Sequence, residues 1–307
     1  MRCVSTPFRS SEALGRGYGR GALRGAAVRR ELRGVYVEAA AEGSLATSVA
    51  AARRVLPPDV QPDGVTALQL LGVDVGPHEP LRLVTSHPHQ VRRARVRVRR
   101  STAAAVAVAA RPAAAFVASA RDLDLVELVV AGDWLVRLEL TSPEELAAQA
   151  RSSRGSGALV ARRAAALVRR GVDSPQETRL RLAIVLAGLP EPEVNPPVEV
   201  GGERVGRVDL LLRRWCVVLE YEGDQHRVDP GQWNRDVWRH ERLLAGGHTL
   251  VRVTARRMRS PRAVVLMVDR APRDRGYEGP APVFDLEWRR LFSTARQRTG
   301  RASEAMP

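Results

Sequence analysis

No lysine occurs among the 307 residues, so all 49 basic side chains are arginine. An arginine stays protonated, so the chain has no basic side-chain amine to act as a proton acceptor. Cysteine is scarce too: Cys3 and Cys216 lie far apart, which excludes a disulfide framework and zinc-finger spacing and suits a reducing cytoplasm. The opening "MRCVSTPFRSSEALGRG" lacks the apolar core of a signal peptide. Long hydrophobic runs are also missing. The alanine-rich stretch 102–120 is interrupted by Arg111 and Pro112, and alanine drives insertion weakly, so it reads as protein core and not as a membrane span. What is present is 44% hydrophobic residues, enough for two or three cores, and a formal net charge of +15. That excess points to a polyanion partner. A GC-rich coding bias would produce it as well, so the position of the charge carries more than its sum.

Residues 1–36 hold eight arginines against two glutamates. "SSEALGRG" reads as a short capped helix, "GYGRGALRGAAV" as a glycine turn and a second helix around Leu23, and "VRRELRGVYV" as a hairpin wing. Helix, turn, helix and wing would place Arg24, Arg29, Arg30 and Arg33 against DNA phosphates. A glycine-loosened cap with no ligand fits the same pattern. On Ala13–Leu14, Leu23 and "RGVYV", residues 1–40 resemble the N-terminal winged helix of AbiEi-type antitoxin-like proteins.

Residues 44–150 read as an α/β middle domain, with helices at "LATSVAAARRVLP" and "DGVTALQLLGV" and strands at "LRLVTS" and "ARVRVRR". In the second strand Val96 and Val98 share one face, while Arg95, Arg97 and Arg99 share the other as solvated charge or a phosphate-contact surface. His87 and His89 flank Pro88 in a loop and are too isolated to read as metal ligands. A Ser/Gly signal followed by an Arg/Ala helix marks 151–173 as a linker helix.

The segment 174–272 reads as αβββαβα. Its first helix has Ser174 as N-cap with Glu177 three residues on, and ends at Gly188. Asp209 lies on one strand and Glu220 on its neighbour, with Glu222 on the same face as Glu220. Clustered carboxylates repel unless a cation joins them, and Mg²⁺ or Mn²⁺ takes one or two such ligands. A metal so held polarises a phosphoryl oxygen and acidifies water. His226 could then orient the water or protonate the leaving oxygen. Glu177 could complete the cluster, Arg207 and Arg239 could contact DNA phosphates, and plain solvated charge is an equal reading for Arg207.

The set "QE…VDLLL…VVLEYEGDQH…WNRDVWRHERLLAGGHTLVRVT" resembles the Vsr-like (very-short-patch-repair related) endonuclease domains of the PD-(D/E)xK superfamily over about residues 174–258. The resemblance implies a four-stranded mixed sheet flanked by helices and metal-dependent hydrolysis of DNA phosphodiesters. It assigns Asp209 and Glu220 to the metal, His226 to general acid/base work, Glu177 to the helix acid, and Asp236 and Arg239 to the following helix. Glu222 takes the place of the superfamily lysine. Because that lysine is missing, a second reading stays open: an antitoxin-like regulator that holds DNA without cutting it. Either implies DNA as partner, no membrane, and a toxin–antitoxin or repair partner whose identity the sequence does not give. Residues 273–307 read as a largely disordered tail with a short helix at "FDLEWRRLF".

Overall fold

The computed structural model describes residues 6–19, 21–41, 43–223 and 230–293, the side chains of 230–236 excepted. The chain divides into two compact units. Unit one comprises residues 1–131 with 144–166, and unit two comprises 132–143 with 167–307. The protein is mixed α/β. No helix among the described residues is long and apolar enough to cross a membrane.

Unit one opens with β1 (Phe8–Arg9), β2 (Val28–Leu32) and β3 (Val35–Glu38), a three-stranded sheet ordered β1–β3–β2. The hairpin read from "RGVYV" is present. It turns at Gly34, whose φ of 81° is a left-handed conformation that glycine adopts without a Cβ clash. The two α-helices expected before it are not. That segment forms only 3₁₀ turns at Ser10–Glu12, Leu14–Arg16 and Ala22–Arg24. Glycines at 15, 17, 19 and 21 explain this, since each costs a helix about 1 kcal/mol relative to alanine. Aromatic stacking holds the segment instead, with Phe8 against Tyr18 at 5.3 Å between ring centres.

The middle region adds α1 (Leu45–Arg53), β4 (Gln61–Pro62), α2 (Gly64–Leu70), β5 (Leu81–Thr85), β6 (Arg92–Arg93) and β7 (Val96–Arg100). Its sheet runs β4–β5–β7–β6, with β5 and β7 parallel. Leu32 and Val35 of the hairpin share a core with Val49, Leu56, Leu81, Leu83 and Val96, so the hairpin is part of this body. The alanine-rich stretch splits into α3 (Ala103–Val108) and α4 (Pro112–Ser119). The split falls where Pro112 cannot continue a helix but suits the first turn of a new one. Next come α5 (Leu125–Arg137), α6 (Pro143–Ser152) and α7 (Ala158–Leu167), the helix expected in the linker.

Unit two is built from α8 (Pro175–Val185), β8 (Glu193–Val194), β9 (Pro197–Val200), β10 (Glu203–Arg207), β11 (Leu210–Leu212), β12 (Val217–Glu222), α9 (Pro230–Ala245), β13 (Thr249–Thr254), α10 (Pro261–Arg273) and α11 (Leu286–Leu291). A four-stranded mixed sheet runs β13–β12–β11–β8, with β12 and β13 parallel and the other pairs antiparallel. The β9–β10 hairpin stands as a separate two-stranded sheet. It turns at Gly201 and Gly202, both at positive φ as a two-residue hairpin turn requires. Leu243 of α9 packs with Val198, Val205, Leu211 and Val218, which seats that helix on the hairpin and the sheet. A Cβ at Gly246 would lie 2.5 Å from the Val200 side chain, so the end of α9 closes onto β9 where only glycine fits.

The chain is packed well beyond residue 273, where a largely disordered tail is expected from sequence. Trp288 is buried and its indole N–H donates to the Ala183 carbonyl at 3.0 Å, while Phe284 and Phe292 pack on its ring. Composition hides this because three aromatics among polar residues suffice as an anchor.

Candidate active site

The site is set by the β11–β12 ladder. Leu210 pairs with Leu219, and carrying that register one step further places Asp209 beside Glu220. Asp209 Oδ2 accepts a 2.7 Å hydrogen bond from the Tyr221 backbone N–H. Its carboxyl is pushed up to about 6, first by burial; the Tyr221 bond opposes this, the charges of Glu177 and Glu220 add to it, and Arg239 partly offsets them.

Glu220 is 5% exposed. Two neighbouring residues of α9 meet it: Arg239 Nη2 lies 2.8 Å from Oε1, and His240 Nε2 lies 2.9 Å from Oε2. The Arg239 approach is close but misaligned, so Oε1 is a buried oxygen that accepts no well-formed hydrogen bond among the described residues. Arg239 also donates to the Arg207 carbonyl at 2.7 Å.

The parallel β12–β13 register sets Arg252 beside Glu220. Arg252 donates to Nδ1 of His240, and its Nε lies 3.3 Å from Glu222 Oε1. Arg252 Nη2 also lies 3.3 Å from Nε2; with Nδ1 accepting from arginine, the ring hydrogen is assigned to Nε2, facing Glu220. Glu222 is drawn to this pair at the more open end of the strand.

Glu177 is buried at the start of α8. Ser174 Oγ accepts from the Glu177 N–H at 3.2 Å, as the capping pattern predicts. The Glu177 carboxylate reaches further than that pattern suggests. It accepts from the Asp173 N–H at 3.0 Å and from Asn195 Nδ2 at 2.7 Å. Asn195, held at a φ of 46°, also donates its backbone N–H to the Asp209 carbonyl at 2.9 Å. One residue thus ties the helix acid to the strand acid.

The structure therefore gathers Asp209, Glu220 and Glu177, with Arg239 beside them, and leaves Glu222 on Arg252. His226 and the Asp236 side chain lie outside the described residues. Among the described residues no group of three or more His, Cys, Asp and Glu is arranged to hold a metal ion. Arg207 forms a 2.5 Å ion pair with Asp173. Arg24, Arg30 and Arg33 are exposed, whereas Arg29 turns inward to the Ala41 carbonyl at 3.1 Å and to Glu31. His240, Arg252 and Asn195 escaped the sequence reading. The signal for His240 was its place next to Arg239 on an amphipathic helix; the other two depend on tertiary pairing. Comparison with known proteins returns nothing: no family model, no curated protein and no solved structure matches the chain.

Proposed function

We propose that unit two is a metal-dependent endonuclease domain of the Vsr-like, PD-(D/E)xK kind that hydrolyses DNA phosphodiesters, with Asp209 and Glu220 as ligands of Mg²⁺ or Mn²⁺. One observation carries the reading. Asp209 is a buried carboxyl raised to about 6 with two further carboxylates acting on it, beside a buried Glu220 oxygen that lacks an aligned donor. Such a pair is short of positive charge, and a hard divalent cation fits it through one or two carboxylates with water elsewhere. When bound, the cation would polarise a phosphoryl oxygen and acidify a water. The chain's own residues supply the rest. His240 holds Glu220 by its Nε2–H, Asn195 fixes Asp209 and Glu177 relative to one another, and Arg239 offers a guanidinium that suits phosphate. The general acid/base role stays with His226, on the resemblance alone. Exposed Arg24, Arg30 and Arg33 of the antitoxin-like N-terminal region would contact the DNA backbone in a cytoplasmic setting, with any toxin–antitoxin or repair partner left open.

A second reading has its own support. Both oxygens of Glu220 already face a cationic or hydrogen-bonding group of α9. A domain neutralised in this way holds DNA without cutting, as a regulator would. The deciding experiment incubates supercoiled and mismatched DNA with the protein in Mg²⁺, Mn²⁺ or EDTA and records the melting temperature in each. The nuclease reading expects metal-dependent cutting that Asp209→Asn abolishes, and a metal-induced rise in Tm that the same change removes. No cutting and no rise with either metal overturns the nuclease reading, and DNA binding that persists then supports the regulator.

A further inference from the structure

The four-stranded sheet of unit one is apolar on one side; its other side buries Val84 of β5 against Val106 and Ala109 and turns to arginine toward the β6 edge. Leu81, Leu83 and Val96 point into the core. On the opposite face the register aligns Arg82 of β5, Arg97 of β7 and Arg92 of β6 in one row across three strands. Like charges directly opposite one another destabilise a ladder unless counter-charge lies close. Two aspartates supply part of it. Asp122 meets Arg82 at 2.8 Å and Arg97 at 3.3 Å; Asp63 meets Arg99 at 2.9 Å and Arg121 at 3.2 Å. Four arginines thus share two carboxylates. Burial lowers the Arg121 pKa and the charge of Arg99 acts in the same direction, with Asp63 opposing.

The imbalance is greatest at the β6 edge. Arg92 reaches only the Gln90 side chain at 3.5 Å, and among the described residues neither Arg92 nor Arg93 has a carboxylate partner. The Arg97 side chain stays 68% exposed despite Asp122. A shallow open depression of about 320 Å³ runs along this edge, bounded by Pro80, Val91, Arg92, Arg93, Arg97 and Val98.

We propose that this arginine face, centred on Arg92 and Arg97 and flanked at the exposed β6 edge by Arg93, binds the phosphodiester backbone of duplex DNA. An enclosed small anion would need a pocket that surrounds it, and this depression is open. A polymer laid across the strands meets several guanidiniums at once, and guanidinium forks match phosphate oxygens in pairs. The surface is distinct from the hairpin arginines and does not require that unit two cut anything, so binding is measured in EDTA, with Asp209 intact and with Asp209→Asn.

The test titrates a labelled duplex with the full chain at several salt concentrations. Combined Arg92→Ala, Arg93→Ala and Arg97→Ala should weaken binding by about tenfold or more near 0.1 M salt, and should flatten the log–log salt slope by roughly 2–3. The same three positions changed to lysine keep the charge and should stay within about threefold of wild type. Arg290→Ala, an exposed arginine of α11, should change nothing. Because all three target side chains are exposed, the alanine protein should melt like wild type. Unchanged affinity and slope in the alanine protein overturns the proposal, as does equal loss in the lysine protein or with Arg290→Ala. Polyglutamate of matched charge binding as tightly as DNA overturns the choice of phosphate. Absence of metal-dependent cutting by the wild-type chain, with DNA binding intact, counts against the nuclease reading alone.

Discussion

Unit two buries two aspartates in opposite circumstances. Asp133 is surrounded by donors: the fully buried Arg181 at 3.0 Å, the Thr178 hydroxyl at 2.7 Å and the Arg169 backbone N–H at 2.8 Å. Arg181 is in turn shared with Glu191 at 3.2 Å and the Leu167 carbonyl at 2.9 Å. Burial raises the Asp133 pKa, while Arg181 and the hydrogen bonds pull it back. Asp209 has one backbone donor and two carboxylates acting on it. A carboxylate saturated with donors closes its site and holds elements together. One left short of donors keeps its capacity for a ligand, and the fold bears the cost.

The largest effect should come from breaking the saturated cluster. Asp133→Ala leaves Arg181 buried with an incomplete set of partners and should cost about 3–5 kcal/mol, read from urea unfolding. Replacing both, as Asp133→Leu with Arg181→Met, should recover most of that loss, because well-packed apolar residues substitute for a buried pair. If the single change costs under about 1 kcal/mol, the cluster is not a structural tie.

Asp209 should respond in the opposite sense. Its folded pKa of about 6 lies above the ordinary carboxyl value of about 4, so the native state binds the extra proton between those limits. The favourable contribution is therefore present at pH 4 and lost as pH rises through 6. Asp209→Asn removes this dependence. Relative to wild type, the variant should gain up to about 3 kcal/mol at pH 7.5 and nothing at pH 4, measured as the difference in thermal stability without metal. A variant equally stable or weaker at pH 7.5 would show that Asp209 is not short of donors.

The smallest effect belongs to Glu222, whose 3.3 Å pairing with Arg252 is 36% and 44% exposed on the two sides. Glu222→Gln should alter stability by less than about 1 kcal/mol in chemical denaturation. A larger loss would place Glu222 with Asp133 among the structural carboxylates.

These contrasts were only partly legible in sequence. Alternation along "VVLEYE" put Glu220 and Glu222 on one face, and the N-cap at Ser174 located α8. Both are local signals. Saturation is not local: Asp133 meets Arg181 across 48 positions of sequence, and Arg252 reaches His240 only because β12 and β13 pair in parallel around α9. "WRHERLL" advertised a helix but not which of its charges would meet Glu220. At the N-terminus local signals misled, because serine and glutamate suggested caps for helices that four glycines prevent. On β7 the pattern held, with Val96 in the core and Arg97 outside. Arg95 departs from it: a φ of 64° turns its side chain to Glu79 at 2.8 Å.

Asn195 joins Asp209 to Glu177, and a side-chain amide in a turn is a chemically perishable link. Asparagine ages by deamidation when the following backbone nitrogen attacks the side-chain carbonyl to close a five-membered ring. Here the following residue is Pro196, whose nitrogen carries no hydrogen. The usual clock of asparagine decay is thus stopped at the position where conversion to aspartate would add another negative charge to an acid cluster already short of positive charge.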